Sequence, residues 1–172
     1  MRPHTPITVA PIATVLALAL AVSLAMPAAA QNAGQIERAR DGASCPRCNL
    51  FQADFANLQL KGRNFAGARL RQADMSASVM NYTVFAGGDL RDVNAYGAVF
   101  TGASFAGANL TNASFVGAYL QGANLRGANL SGVNFSGAEM DRAIGLTQRQ
   151  LDGACGDSAT TLPRGLSLRP CG

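Results

Sequence analysis

The chain has 172 residues, of which 48% are hydrophobic and 14% are charged, and its formal net charge is +4. This length and composition predict a single folded domain and argue against an intrinsically disordered protein. Because the basic residues are scattered singly along the sequence, it lacks the clustered positive charge of a nucleic-acid-binding protein. We therefore expect no nucleic-acid partner.

The first thirty residues have the pattern of an export signal. A short polar start with Arg2 and His4 precedes an apolar run at 12–26, and small residues follow that run. This order predicts a signal peptide over residues 1–30 that is cleaved after Ala30. A retained anchor is the alternative, but the run is shorter than the ~20 apolar residues that a spanning helix needs. We expect a periplasmic or secreted protein without membrane attachment after cleavage.

The loss of this segment would remove the one histidine of the sequence, His4. No imidazole would then remain for general base catalysis, for a Ser–His or Cys–His nucleophile, or for a zinc site with His ligands. Lys61 is the one lysine in the sequence. We therefore predict that the protein is not an enzyme and that it has no catalytic residue, no metal and no cofactor.

The middle of the chain repeats every five residues. From residue 50 to residue 140 every fifth residue is apolar, in nineteen consecutive positions without an insertion, and Gly is the commonest residue two positions later. A period of five matches neither a helix nor a strand. Units made of a short extended segment and a corner would close a four-sided coil every twenty residues, and such coils stack about 4.8 Å apart. The large apolar residue of each unit then points inward.

The units read A-N-L-x-G and A-S-F-x-G, most clearly at residues 102–137, and in this they resemble the pentapeptide-repeat family. The resemblance covers residues 49–142. It implies an all-β fold, a right-handed quadrilateral parallel β-helix of just under five coils, about 23 Å tall at the strand spacing. Residues 31–48 are then an N-terminal segment and cap, and residues 143–172 a C-terminal cap.

Two inward positions of the first coil depart from the repeat. Leu58 and Arg63 lie where most other units have a small residue. A bulky or charged side chain does not fit a narrow interior, because burying a charge without a partner is costly. We therefore expect a distorted first coil with Arg63 turned outward.

The C-terminal segment carries the signals of a short helix. Thr147 and Gln150 have the spacing of a capping box, and Leu146 with Leu151 has the spacing of a hydrophobic staple. These signals predict a helix near residues 148–154 that covers the end of the stack. The segment also resembles the tail that closes exported members of the family, with its Leu-Thr-x-x-Gln-Leu, Cys-Gly-Asp and Leu-Pro-x-Gly-Leu elements.

Four cysteines flank the repeat, Cys45 and Cys48 before it and Cys155 and Cys171 after it. In an exported chain they predict two disulfides, for which three pairings exist. A disulfide needs Cα atoms within about 7 Å, whereas the two ends of the stack are about 23 Å apart. We therefore expect Cys45 to pair with Cys48 and Cys155 with Cys171.

The first pair also fits a second interpretation, because a C-x-x-C motif is typical of thiol oxidoreductases. In those proteins the motif opens a helix after a strand, whereas "CPRCNLFQADF" runs directly into the repeat. A structural disulfide is therefore the favoured interpretation. A redox site formed by Cys45 and Cys48 remains the alternative.

The outer surface of the stack is mostly Asn, Ser, Thr and Gly, with one apolar region. Residues twenty apart lie above one another, and several outward Val, Ala and Tyr residues then come together. They form a candidate interaction strip, consisting of Val79, Tyr82, Val84, Ala86, Val99, Ala106 and Tyr119. The alternative is that Val suits the outer face of any strand. On another side, Arg69 is expected to pair with Asp89 one coil along.

Taken together, these features predict a non-catalytic exported structural or protein-interaction module of the bacterial envelope. Its partner is an unknown protein or a second copy of the chain. The alternative function is that of an envelope thiol-disulfide protein acting through Cys45 and Cys48.

Overall fold

The computed structural model describes residues 32–172. The predicted signal peptide and its cleavage site at Ala30 lie outside the described residues. Four elements have regular secondary structure: α1 (Ala33–Arg40), α2 (Gln148–Leu151), β1 (Cys155–Gly156) and β2 (Arg169–Pro170). Within residues 32–172, no helix is long and apolar enough to cross a membrane.

The segment between the two helices is a stack of four-sided coils held by parallel pairing. Each side contributes one bridged residue, which pairs with the residue twenty positions later, as in Val79 with Val99 and Val99 with Tyr119. Backbone hydrogen bonds join successive coils, for example from the Val99 N–H to the Ser78 carbonyl at 2.8 Å. The twenty-residue coil predicted from the five-residue period is therefore confirmed.

The corners between sides are two-residue turns whose second residue has a positive φ. Gly117, with φ of 65°, is an example. Only glycine adopts this left-handed conformation without steric cost, which explains why Gly is so common two positions after the large apolar residue. Eight turns have another residue there, including Ala77 and Tyr82.

The core runs along the axis of the stack. Every fifth residue from 50 to 140 is buried, as the sequence predicts. The phenylalanine rings contact one another between coils and within a coil. The ring centroids of Phe85 and Phe105, one coil apart, are separated by 5.1 Å, and those of Phe100 and Phe105, on neighbouring sides, by 5.2 Å. Each buried Leu or Phe side chain contributes about 1.5–3 kcal/mol to stability.

The expected distortion of the first coil was wrong, although Arg63 is exposed as predicted. The bridges at Gln59 and Asn64, on either side of Arg63, keep the regular register. The buried Thr83 lies one coil above Arg63, and its hydroxyl donates to the Leu60 carbonyl at 2.7 Å. In most other units the N–H three residues after the large apolar residue donates to this carbonyl, as the Ala68 N–H does to Phe65, so the Thr83 hydroxyl supplies the Leu60 carbonyl with its partner here.

The N-terminal cap is a helix that the sequence analysis did not predict. Asn32 caps α1 through its side chain, which accepts from the Gln35 N–H. Gln35 Oε1 in turn accepts from the Asn49 N–H at 2.7 Å, and Ser44 Oγ accepts from the Asn64 N–H at 2.9 Å. These contacts satisfy backbone groups at the open end of the stack, which would otherwise lack partners.

The coil register also begins one unit earlier than residue 49. The Cys45 N–H donates to the Asn64 carbonyl and the Arg47 N–H to the Ala66 carbonyl, both at 2.8 Å. Cys45 takes an inward position and is buried. The repeat was not recognised there because cysteine replaces the usual Leu or Phe.

At the other end, Thr147 and Gln150 form the predicted capping box. The helix itself, α2, ends at Leu151, three residues before the predicted limit. The Gln150 side chain closes the last coil by donating to the Leu125 and Ala128 carbonyls at 2.9 and 3.0 Å.

The chain then continues the stack instead of leaving it. Cys155 in β1 pairs with Asn134 of the last regular coil, and β2 pairs with β1 in parallel through Arg169. Pro170 has no N–H, which weakens the edge of this final strand as a template for further pairing.

Candidate docking face

One side of the stack carries the most apolar outward residues, in the column Gln59, Val79, Val99, Tyr119 and Glu139. We call this side, together with the two corners that border it, the docking face. Val79 and Val99 are half-buried and Tyr119 is 44% exposed. The structure therefore brings these three predicted strip residues together.

All three tyrosines of the chain lie on the docking face. Tyr96 is in the corner that precedes Val99, and Tyr82 is in the corner that follows Val79. They are 60% and 68% exposed. Tyr96 was not among the predicted strip residues. Tyr96 lies twenty residues before Val116 and therefore at the same corner of the stack. This spacing was the signal that could have identified Tyr96 as part of the face.

Tyr82 occupies a turn position where glycine is usual, and its φ is 58°. Its ring lies against the turn of the next coil, since a Cβ on Gly102 would come within 2.6 Å of two ring atoms. One ring face thus contacts backbone while most of the side chain is exposed. A residue other than glycine in this conformation costs about 1–3 kcal/mol, and such residues cluster at functional sites.

The remaining strip residues lie elsewhere. Val84 is on the next side, in a column with Ser104, and is separated from Val99 by the corner of Tyr82. Ala86 and Ala106 are at the corner beyond it, where Ala86 lines a shallow groove of about 520 Å³ with Pro46, Arg47, Ala66 and Gly67. The structure therefore divides the predicted strip between two sides.

Charge on the docking face is confined to its ends. The residues of its three middle coils, between 76 and 122, are uncharged on this side and at both corners. Lys61 lies at the corner of the first coil. In the fifth coil Glu139 lies on this side, with Asp141 and Arg142 at the corner that follows it, and the column continues from Glu139 to Thr161. The face is therefore an apolar surface with side-chain amides and hydroxyls at its margin, such as Asn81 and Thr101.

A different side carries the contacts of Asp89 and Arg71, and they differ from the predicted ones. Asp89 pairs with Arg91 of the same turn, through two bonds of 2.7 Å, and not with Arg69. Arg71 pairs with Asp92 at 3.2 Å. The hydrogen bond from Arg91 lowers the pKa of Asp89 below its usual value, against the opposing effect of burial. Because these pairs are exposed to solvent, they contribute little to stability.

The cysteines form two disulfides, Cys45 with Cys48 and Cys155 with Cys171, with Cα–Cα distances of 5.5 and 4.9 Å. This is the pairing that the distance argument favoured. Cys45 and Cys48 are only 6% and 9% exposed, and the intervening Pro46 and Arg47 form a corner of the coil. Among residues 32–172, no group of His, Cys, Asp or Glu has the arrangement of a metal site.

Comparison with known proteins agrees with the coil geometry. The family described as "Pentapeptide repeats" matches in eight copies, over residues 59–94, 79–115 and 108–144, which together span half of the chain. The chain belongs to the pentapeptide-repeat family. Proteins of this family are right-handed quadrilateral β-helices and in general non-catalytic structural modules. No curated protein matches the sequence significantly.

Several solved structures are similar to this repeat protein. A pentapeptide repeat protein from the Arabidopsis thaliana thylakoid lumen is 30% identical, over 63% of this chain and 61% of that chain, with a TM-score of 0.29. This chain thus spans less than two thirds of that protein. A pentapeptide repeat protein from the cyanobacterium Cyanothece is 21% identical, over 70% and 85%, with a TM-score of 0.30. A plasmid-mediated fluoroquinolone resistance protein is 18% identical, over 74% and 80%, with a TM-score of 0.32.

Proposed function

We propose that this protein is a non-catalytic interaction module of the bacterial envelope, which binds a protein partner through the docking face. The observation that carries this proposal is the presence of all three tyrosines on one face of a rigid stack, with each side chain exposed. Tyrosine is enriched among the residues that dominate binding energy at protein interfaces. Its ring loses little conformational entropy on binding because it has only two rotatable side-chain bonds.

The stack is suited to this role because its backbone is fixed by pairing on both sides of every coil. The Val99 N–H and carbonyl, for instance, both bond to the coil below at 2.8 Å, while the neighbouring Ala98 carbonyl and Phe100 N–H bond to Tyr119 in the coil above at 2.9 and 2.8 Å. A rigid surface does not lose backbone entropy when it binds, which leaves more of the contact energy as affinity. The half-buried Val79 and Val99 supply a flat apolar centre between the tyrosines.

The location in this proposal rests on two features of the chain. Residues 1–30 have the pattern of a cleavable export signal. Both cysteine pairs lie within bonding distance and are joined in the structure, and disulfides persist in oxidising compartments such as the periplasm. In this proposal the export signal is removed and the stack between its two caps is the mature body.

The thiol-disulfide alternative requires a sulfur that a substrate disulfide can reach. Cys45 and Cys48 are buried in the first layer of the core, and reactive cysteines are partly exposed. Counting free thiols on periplasmic material tests this alternative. A persistently reduced, reactive Cys45–Cys48 pair would favour it, whereas full oxidation favours a structural disulfide.

The proposed function is tested by crosslinking in intact envelopes followed by recovery of the protein. Val99→Asp and Tyr119→Asp place a charge in the centre of the docking face, so each should reduce the recovered crosslinked partner by about tenfold or more. Ser131→Asp introduces the same charge at an exposed corner of another side and should leave recovery unchanged. Equal recovery from all three folded variants would refute the docking face.

A further inference from the structure

A second part of the outer surface, separate from the docking face, is the corner between the Val84 side and the Asp89 side. It consists of five two-residue turns stacked one above another, at residues 46–47, 66–67, 86–87, 106–107 and 126–127. The first turn contains Arg47 and the fifth contains Arg126, whereas the three turns between them are Ala-Gly pairs. We call this surface the arginine corner.

The distance between the two arginines is fixed by backbone hydrogen bonds along the corner. Each turn bonds to the next, from the Arg47 N–H and the Ala66 carbonyl at 2.8 Å up to the Gly107 N–H and the Arg126 carbonyl at 2.9 Å. The two arginines are therefore four coils apart, about 19 Å at the strand spacing. Because these backbone groups already have partners within the stack, a ligand at the corner has to be bound by side chains and by shape.

No acidic residue belongs to this corner or to the adjoining Val84 side. The five units that form both are residues 43–47, 63–67, 83–87, 103–107 and 123–127, and they contain no Asp or Glu. Neither Arg47 nor Arg126 takes part in the four ion pairs found within residues 32–172. Both guanidinium groups are exposed, so each is available to an anionic group of a ligand.

The charged residues on the neighbouring Asp89 side do not neutralise the corner. Asp89 accepts two hydrogen bonds from Arg91, both at 2.7 Å. Arg69 lies one coil below Asp89 in the same column and is in none of the ion pairs of residues 32–172. It adds a further positive charge two residues from the turn at 66–67.

Arg63, at the far edge of the Val84 side, is not part of this set. Its guanidinium atoms lie 3.4–3.7 Å from the place where a Cβ on Gly42 would be. The side chain is thus directed toward the N-terminal cap, where Asp41 precedes Gly42. The positive charge that faces the arginine corner comes from Arg47, Arg126 and the neighbouring Arg69.

The amides beside the corner present hydrogen-bond donors. Asn64 Oδ1 accepts from the Ala66 N–H at 2.9 Å, and Asn124 Oδ1 accepts from the Arg126 N–H at 3.1 Å. Since the oxygen of each amide is directed at the backbone, the NH2 group is the end available to a ligand. Arginine also donates and does not accept. The polar groups at this corner therefore favour a ligand rich in acceptors.

The surface between the charged ends is apolar and low. A groove of about 520 Å³ lies at its lower end and is lined by Pro46, Arg47, Ala66, Gly67 and Ala86. A polymer with a phosphate at every repeat would place anions over these alanines, where no cation meets them. A polypeptide can instead combine widely spaced carboxylates with small apolar side chains. The spacing of charge along the corner therefore favours a protein segment.

We propose that the arginine corner binds an extended acidic segment of a partner protein, with one carboxylate at Arg47 and another at Arg126. A polyproline II segment rises about 3.1 Å per residue with three residues per turn. Two acidic residues six positions apart are then about 19 Å apart and project on the same side. The proposal goes beyond the docking face, because it assigns a second surface and the chemistry of what binds there.

A titration of the purified mature chain with a synthetic peptide tests the proposal. The probe has seven residues, with glutamate at its first and seventh positions and alternating proline and alanine between them. At low salt it should shift the amide NMR signals of Gly67, Gly87 and Gly107, which line the middle of the corner. A peptide of the same composition with its glutamates at the first and fourth positions spans only about 9 Å. It should bind about fivefold more weakly, because one carboxylate then lacks an arginine.

Charge reversal identifies the contact at one end. Arg126→Glu should weaken binding of the first peptide by about tenfold, since a like charge replaces an attractive one. A peptide with lysine at its seventh position should restore the affinity for this variant. Arg164→Glu makes the same charge change at an exposed residue of the C-terminal cap and should have no effect.

Three results would overturn the proposal: no shift of the three glycine signals at up to about 5 mM peptide, equal affinity for the two glutamate spacings, or unchanged binding to Arg126→Glu. Poly(glycerol phosphate) provides a comparison. If it shifts the same signals and the peptide does not, the corner binds an anionic polymer and the assignment of a protein segment is wrong. The docking face is tested separately by Val99→Asp, so the failure of one proposal is distinguishable from the failure of the other.

Discussion

At the scale of single residues, neighbours in the sequence have opposite environments. Val99 points outward and is half-buried, whereas Phe100 is fully buried. The Phe100 ring lies within 6.0 Å, centroid to centroid, of the rings of Phe85, Phe105 and Phe115. The alternation follows from the extended conformation of each side, in which consecutive side chains point to opposite faces.

This alternation predicts very different effects for the same substitution. Phe100→Asp buries a carboxylate without a partner among these rings and should lower the free energy of unfolding by about 4 kcal/mol or more. In Val99→Asp the protein loses only the partial burial of the valine side chain and its preference for extended structure. This substitution should therefore lower the free energy of unfolding by about 1 kcal/mol or less. Denaturant unfolding of both variants measures the difference. Similar losses for the two would contradict the assignment of inward and outward residues.

At the scale of the coil, register matters more than the identity of any turn residue. Gly117 has a positive φ and no atom within 4 Å of the place where a Cβ would be. Other turns hold Ala77, Asn57 or Gln72 in the same conformation. Replacement of a turn glycine is thus a local change, whereas loss of a residue moves every later side chain to the opposite face.

We therefore expect Gly117→Ala to lower the free energy of unfolding by only about 1 kcal/mol, the cost of a left-handed alanine. Deletion of Gly117 should prevent native folding of the coils after it, because the large residues from Leu120 onward would leave the core. Circular dichroism and thermal melting compare the two. A deletion variant with native spectrum and melting temperature would refute the coil register.

At the scale of the whole molecule, the disulfides close the two ends of the stack separately. Cys155 and Cys171 fix β2 against β1, and the bond closes a loop with a sequence separation of 16. If a disulfide acts by lowering the entropy of the unfolded chain, closing a loop of this length stabilises the folded protein by about 3 kcal/mol. The disulfide thus fastens the terminal strand pair, which is also joined by the hydrogen bond from the Cys171 N–H to the Gly156 carbonyl at 3.0 Å.

Peptide mapping of the exported protein without reduction tests this arrangement. We expect a Cys155–Cys171 peptide and a Cys45–Cys48 peptide, because each pair is local to one end of the stack. A peptide that joins Cys45 to Cys171 would mean that the ends of the stack come together, which no coil geometry of this kind permits.

The sequence by itself determined the coil, since a five-residue period that continues without an insertion leaves a single register, and each inward Leu or Phe is defined by that register alone. Only the tertiary structure decided the ends and the surface contacts. The helix α1 is held by contacts such as Gln35 with Asn49, the start of the register at Cys45 depends on pairing with Asn64, and Asp89 selects Arg91 over Arg69. Some of these contacts join residues that are far apart in the sequence. The others depend on which of two competing side chains a group binds. A local periodic pattern does not determine either kind of contact.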